Sequence, residues 1–169
     1  MSIQLIETSG ISKEEIYELV VKQVSHLISD EPDLIATLSN VSSLLSNSFK
    51  EFLWTGFYIT SKSDPEELIL GPFQGRPACT RIKFGKGVCG TAALKRETII
   101  VDDVDKFPGH IVCDSLSKSE IVVPIVLDGF TRAVIDVDSG LPANFNDTDA
   151  KYLEKIAELL TPVFADEQR

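Results

Sequence analysis

Apolar residues recur at the three-and-four spacing of an amphipathic helix over 11–30, where Ile16, Leu19, Val20, Val24, Leu27 and Ile28 share one stripe. Ser12 followed by Glu15 is a capping-box pattern for its start. A second stripe, Leu34, Ile35, Leu38, Val41, Leu44 and Leu45, runs to about 47 behind Pro32, a residue suited to a first helical turn. A helical hairpin over 11–47 is the expectation. The period then changes. Residues 52–60 are dense in aromatic and β-branched types and predict a strand. Asp64-Pro65 marks a turn into a return strand over 67–73. A short strand over 79–84, a short helix over 88–95 and a strand over 97–101 follow. Beyond a polar stretch, strands over 120–127 and 130–138 flank Asp128-Gly129, a two-residue hairpin signal. Asn146, Asp147, Thr148 and Asp149 offer caps for a final helix over 146–165, which buries Leu153, Ile156, Leu159, Leu160 and Val163; Pro162 should kink or end it. Hairpins interleaved with helices imply an α+β domain spanning 1–169. Its sheet, largely antiparallel and built with its loops from 52–140, carries helices packed on its faces.

Three places depart from a plain core-and-surface pattern. The stretch 108–120 is polar and glycine-bearing, hence a loop, yet it carries Cys113 with His110, Asp114 and Glu120 close by. Free cysteine usually behaves as a small buried hydrophobe, so a loop thiol asks for another explanation. Cys89 falls in the first turn of the 88–95 helix, where the helix dipole favours a reactive thiolate. That argument nominates Cys89 over Cys113 as nucleophile, with packing against Val88 and the small residues after it as the competing reading. In the strand 130–138, Asp136 and Asp138 point to one face about 7 Å apart. They are either solvated or line a pocket that holds an ammonium group, where like charges would keep one acid protonated near neutrality. Trp54, Gly56 and Tyr58 share a face by the period-two rule, as core or as an aromatic wall for a small ligand.

Charge narrows the function. The 169 residues carry a net charge of −10, unsuited to nucleic acid or an anionic membrane, both of which recruit clustered positive charge. Hydrophobic content of 43% is ordinary for a globular chain. Neither a signal peptide nor an apolar run near 18 residues is evident, so a cytoplasmic location is expected. There the three cysteines rest reduced, and any disulfide is transient and functional. Their spacing lacks the close pairs of a zinc site; only His110 and Cys113 are near neighbours, so no metal is expected. Gly85, Gly87 and Gly90 match the spacing of a dinucleotide fingerprint without its βαβ context and suggest a turn with close helix packing. His26, on the first helix, is expected at the surface. The acidic turn Asp102-Asp103-Val-Asp105 is expected there too.

Together, Trp54-Thr-Gly-Phe-Tyr58, Gly71-Pro-Phe-Gln-Gly75, Pro77-Ala-Cys79, Phe84-Gly-Lys-Gly-Val-Cys-Gly-Thr-Ala92, His110-Ile-Val-Cys-Asp114, Ser119-Glu120 and Ile135-Asp-Val-Asp-Ser139 resemble the free methionine-(R)-sulfoxide reductases. These are enzymes made of one GAF domain, and the resemblance covers about 15–160. It implies a GAF-like fold and thiol-dependent reduction of free methionine-(R)-sulfoxide with no bound cofactor. By the same resemblance Cys113 is the nucleophile, Cys79 the principal resolving thiol and Cys89 a third redox thiol. Trp54 and Tyr58 line the substrate site, and Glu120, Asp136 and Asp138 form the carboxylate set that recognises the substrate. Thioredoxin is the implied external reductant, and a homodimer through the helical face is compatible. A Cys79–Cys113 disulfide, so implied, requires Cα atoms about 6 Å apart. A small-molecule-sensing GAF domain without catalysis is the alternative reading.

Overall fold

The computed structural model describes residues 5–30 and 33–166. Helix α1 spans Lys13–Asp30 and α2 Leu34–Ser48. Strands β1 (Phe52–Thr60), β2 (Glu67–Gln74) and β3 (Arg81–Lys83) precede α3 (Gly87–Lys95). Then come β4 (Ile99–Val101), a single 3₁₀ turn (Val104–Lys106), β5 (Ser119–Leu127), β6 (Phe130–Ser139) and α4 (Asp147–Asp166). The six strands form one sheet in the order β3-β2-β1-β6-β5-β4. Every pairing in it is antiparallel. The expected α+β architecture, an antiparallel sheet with helices packed on it, is therefore the one observed. Among the described residues no helix is long and apolar enough to cross a membrane.

The capping box at the start of α1 forms as its sequence demands: Ser12 N donates to Glu15 Oε2 at 2.7 Å, and Glu15 N donates to Ser12 Oγ at 3.2 Å. Pro32 lies outside the described residues. The cap of α2 is Asp33, whose Oδ1 accepts from Ala36 N at 2.8 Å, so the helix opens at Leu34. Asp128 and Gly129 both adopt positive φ, 54° and 78°, which is what a two-residue turn between β5 and β6 requires. Two residues of the predicted helix stripes lie outside the core: Leu19 is 42% and Ile35 53% exposed. Tyr17 takes the place instead, fully buried, with its hydroxyl donating to Asp149 Oδ1 at 2.8 Å. Lys13 reaches the other oxygen of Asp149 at 2.7 Å, so the start of α1 is tied to the first turn of α4. Pro162 sits inside α4, which continues past it to Asp166. His26 is at the surface, its Nδ1 2.6 Å from the Lys22 carbonyl.

The sheet separates two apolar clusters, and strand alternation decides which residue serves which. Phe57, Ile121, Val123, Ile125, Ala133, Ile135 and Val137 face α1, α2 and α4. Trp54, Tyr58, Val122 and Val134 face the other way, toward α3, Leu68, Ile82, Val101 and Val104. Phe52 joins the first cluster although it shares parity with Trp54, because the pairing register of β1 shifts between those two residues.

Candidate functional site

The second face of the sheet carries the chemistry. Trp54 on β1 pairs with Asp138 on β6, which pairs with Glu120 on β5. One row along, Gly56 pairs with Asp136 and Asp136 with Val122. Neighbouring strands lie about 4.8 Å apart, so three carboxyls converge under α3 and the segment before β5. Asp136 and Asp138 thus turn inward rather than to solvent, and Glu120 and Asp136 are each only 6% exposed. They share a pocket of about 530 Å³, mouth included, with Trp54, Tyr58, Cys89, His110 and Cys113. All eight site residues expected from the sequence line this one pocket or, for Cys79, pack beside it.

Cys79 and Cys113 are joined by a disulfide with their Cα atoms 5.6 Å apart, inside the range such a bond needs. Cys113 belongs to the loop between the 3₁₀ turn and β5. Cys79 lies just ahead of β3, where Tyr58 Oη donates to its carbonyl at 3.0 Å. The Tyr58 hydroxyl thus positions the Cys79 backbone, while its ring stacks against Trp54 at 6.0 Å. Trp54 is pinned in turn: Nε1 donates to the Arg76 carbonyl at 3.0 Å, and the ring stacks on Phe73 at 5.2 Å. Gly56 leaves the room for this, since a Cβ there would stand 2.4 Å from Phe73 Cβ and 2.6 Å from the Trp54 ring.

Cys89 is where expectation and structure part. It does lie in the first turn of α3, but it is buried, 4% exposed. Burial, and then the Asp136 and Glu120 carboxyls, push its thiol well above the ordinary range. A helix terminus offers about half a unit charge, and desolvation with two acids in contact outweighs it. The dipole argument for a reactive Cys89 thiolate is therefore overturned. The glycines before it act as packing and turn residues: Gly85 and Gly87 take φ of 78° and 60°, and a Cβ on Gly90 would sit 2.2 Å from the Lys83 carbonyl oxygen.

The carboxyls differ. Burial first, and then Asp136 and Asp138, raise Glu120 well above the usual carboxylate range. Burial and Asp138 do the same for Asp136. Asp138 is raised by burial to about 6, with the Ser117 hydroxyl, which donates to its Oδ1, pulling the other way. Among the described residues no lysine or arginine lines the pocket. His110 Nε2 stands 3.9 Å from Glu120 Oε2, and burial lowers the imidazole below its ordinary value. The loop itself is held by Asp114, whose Oδ1 accepts from Leu116 N at 2.9 Å and from Arg76 Nη1 at 3.2 Å. The sequence reading missed Ser117, Ile82 and Ile111 among the lining residues, because nothing local distinguishes a pocket serine or isoleucine from a core or loop one.

The family model described as GAF domain matches residues 31–165. A free methionine-R-sulfoxide reductase of Saccharomyces cerevisiae is 48% identical over 158 residues, covering 90% of this chain and 88% of that protein. The free methionine-R-sulfoxide reductase of Escherichia coli is 39% identical, over 92% of both chains. Among solved structures, a free methionine-R-sulfoxide reductase from Neisseria meningitidis in complex with its substrate superposes with a TM-score of 0.92 at 43% identity, over 98% of each chain. The chain belongs to the GAF domain family. Within it, the chain falls among the free methionine-R-sulfoxide reductases, a family of oxidoreductases.

Proposed function

We propose that this protein reduces free methionine-(R)-sulfoxide to methionine through a sulfenic acid on Cys113. The Cys113 thiolate attacks the sulfoxide sulfur. The oxygen takes up a proton and is transferred to the thiol sulfur, so methionine leaves and Cys113 becomes a sulfenic acid. Cys79 then attacks that sulfur, expels water and closes the disulfide, which protects Cys113 from further oxidation. An external dithiol, thioredoxin in this reading, reopens the bond by exchange. In this reading, which follows the family resemblance, Cys89 is a third, secondary redox thiol.

The observation that carries the proposal is the Cys79–Cys113 pair bordering a pocket floored by three carboxyls. Raised pKa values supply neutral acids for the departing oxygen, and the acids' ionised forms supply the anions an ammonium needs. A peptide-bonded methionine lacks the free ammonium that would draw these buried acids into their charged form. Trp54 closes the apolar end against the substrate's methyl group. In single turnover, Cys113→Ser should form no methionine, whereas Cys79→Ser should form up to one equivalent and fail to recycle. The S epimer and peptide-bound sulfoxide should be inert. Full single-turnover yield from Cys113→Ser would remove it as the nucleophile.

A further inference from the structure

Cys89 from α3, Glu120 from β5 and Asp136 from β6 each present one ligand atom, and these three atoms lie within 4.8 Å of one another. Cys89 Sγ is 4.0 Å from Glu120 Oε1. All three side chains are buried, Asp136 is among the pocket-lining residues, and its buried Oδ1 has no hydrogen-bond partner. His110 Nε2 stands at the rim, 3.9 Å from the second oxygen of Glu120. No close sequence pair announced this cluster, because its members come from three elements.

We propose that this cluster binds a thiophilic divalent cation of the Zn²⁺ class, through the Cys89 thiolate, Glu120 and Asp136, with the fourth position left to solvent. A thiolate and two carboxylates with an open fourth position are a zinc-type ligand set, whereas Mg²⁺ and Ca²⁺ take oxygen ligands in larger number. Bound atoms around a tetrahedral zinc stand about 3.5 Å apart. No pair therefore closes by more than about 1.3 Å, a movement that rotation of the Glu120 and Asp136 side chains about their χ angles supplies. The thiol proton and the protons held by Glu120 and Asp136 go to solvent on binding, and no oxidation or reduction is involved. The ion would neutralise carboxylates that, among the described residues, have no lysine or arginine beside them in the pocket lining. It would also exclude a substrate ammonium from the same carboxylates. That consequence rests on the function proposed above; the binding itself does not.

The disulfide form makes the test unambiguous. With Cys79 and Cys113 bonded to each other, Cys89 is the one free thiol of the three cysteines. Titrating this form of the intact protein with Co²⁺ should give one equivalent bound and a thiolate-to-cobalt charge-transfer band. Zn²⁺ should abolish the band and Mg²⁺ should not. The band should vanish in Cys89→Ser, and Asp136→Asn should bind at least tenfold more weakly. Absence of the band in the unaltered protein overturns the proposal whatever the variants do. Equal affinity in Asp136→Asn also overturns it, since the ion would then sit on surface acids. Displacement of Co²⁺ by free methionine reads the shared pocket separately, so a failed reductase assay and a failed metal site are distinguishable.

Discussion

At the scale of single residues, Asp138 shows how position sets chemistry. It sits on β6 between Trp54 on one neighbouring strand and Glu120 on the other. Burial raises it to about 6 and the Ser117 hydroxyl holds it back from rising further. Above about pH 6 it is mostly ionised and can pair with an ammonium; below, it is neutral and cannot. Because kcat/KM reports ionisations of the free enzyme, it should fall as pH drops through about 6, approaching tenfold per pH unit. Ser117→Ala deletes the bond that favours the carboxylate, so the same limb should move to higher pH. A pH profile between 5 and 8 on the two proteins checks this. A limb that stays put in Ser117→Ala would show that Asp138 is not the ionising group.

At the scale of elements, the sequence carried the strands better than the site. The Asp128-Gly129 turn and the alternation in β1 and β6 were legible because each is a local pattern with one physical reading. Helix faces are legible to within a residue or two: spacing turns Leu19 and Ile35 inward, but Tyr17, packed against Tyr152 of α4, is the buried residue and those two are exposed. Which way Asp136 and Asp138 face was legible only through the family resemblance, not from the pattern of the strand. Period two says they share a face, and only the position of α3 says that this face is a pocket. Cys89 failed for a related reason, since a first-turn thiol is activated or silenced by what lies opposite, and here that is Glu120 and Asp136. The element that settles the matter is α3, and its seat depends on Gly90. A Cβ there would meet the Lys83 carbonyl at 2.2 Å, a backbone atom that cannot swing aside. Gly90→Ala should therefore push α3 off β3. Chemical denaturation should show a loss of about 1–3 kcal/mol, the usual cost of overpacking. Cys89, riding on the same helix, should become reactive to alkylating reagents. Unchanged stability together with an unreactive Cys89 would mean the helix tolerates the shift.

At the scale of the whole molecule, the sheet is a partition. Its one side is the larger core with α1, α2 and α4, and its other side is the smaller cluster that merges into the pocket wall. The two share a backbone but few side chains, because alternate residues of β5 and β6 serve opposite faces. Stability and substrate recognition should then separate by face. Leu160 on α4 is fully buried in the larger core, and Leu160→Ala should cost about 2–5 kcal/mol. At a temperature where that variant remains folded its KM should match the parent. Val122 is equally buried but sits on the pocket side, paired with Asp136. Val122→Ala removes two methyl groups' worth of packing, on the order of 1–2 kcal/mol, yet it loosens the strand position opposite a pocket carboxylate. Its KM should rise severalfold despite the smaller loss of stability. Measuring urea midpoints and KM on both variants tests the partition directly. A KM defect in Leu160→Ala as large as that in Val122→Ala would show that the helical core is mechanically coupled through the sheet to the site.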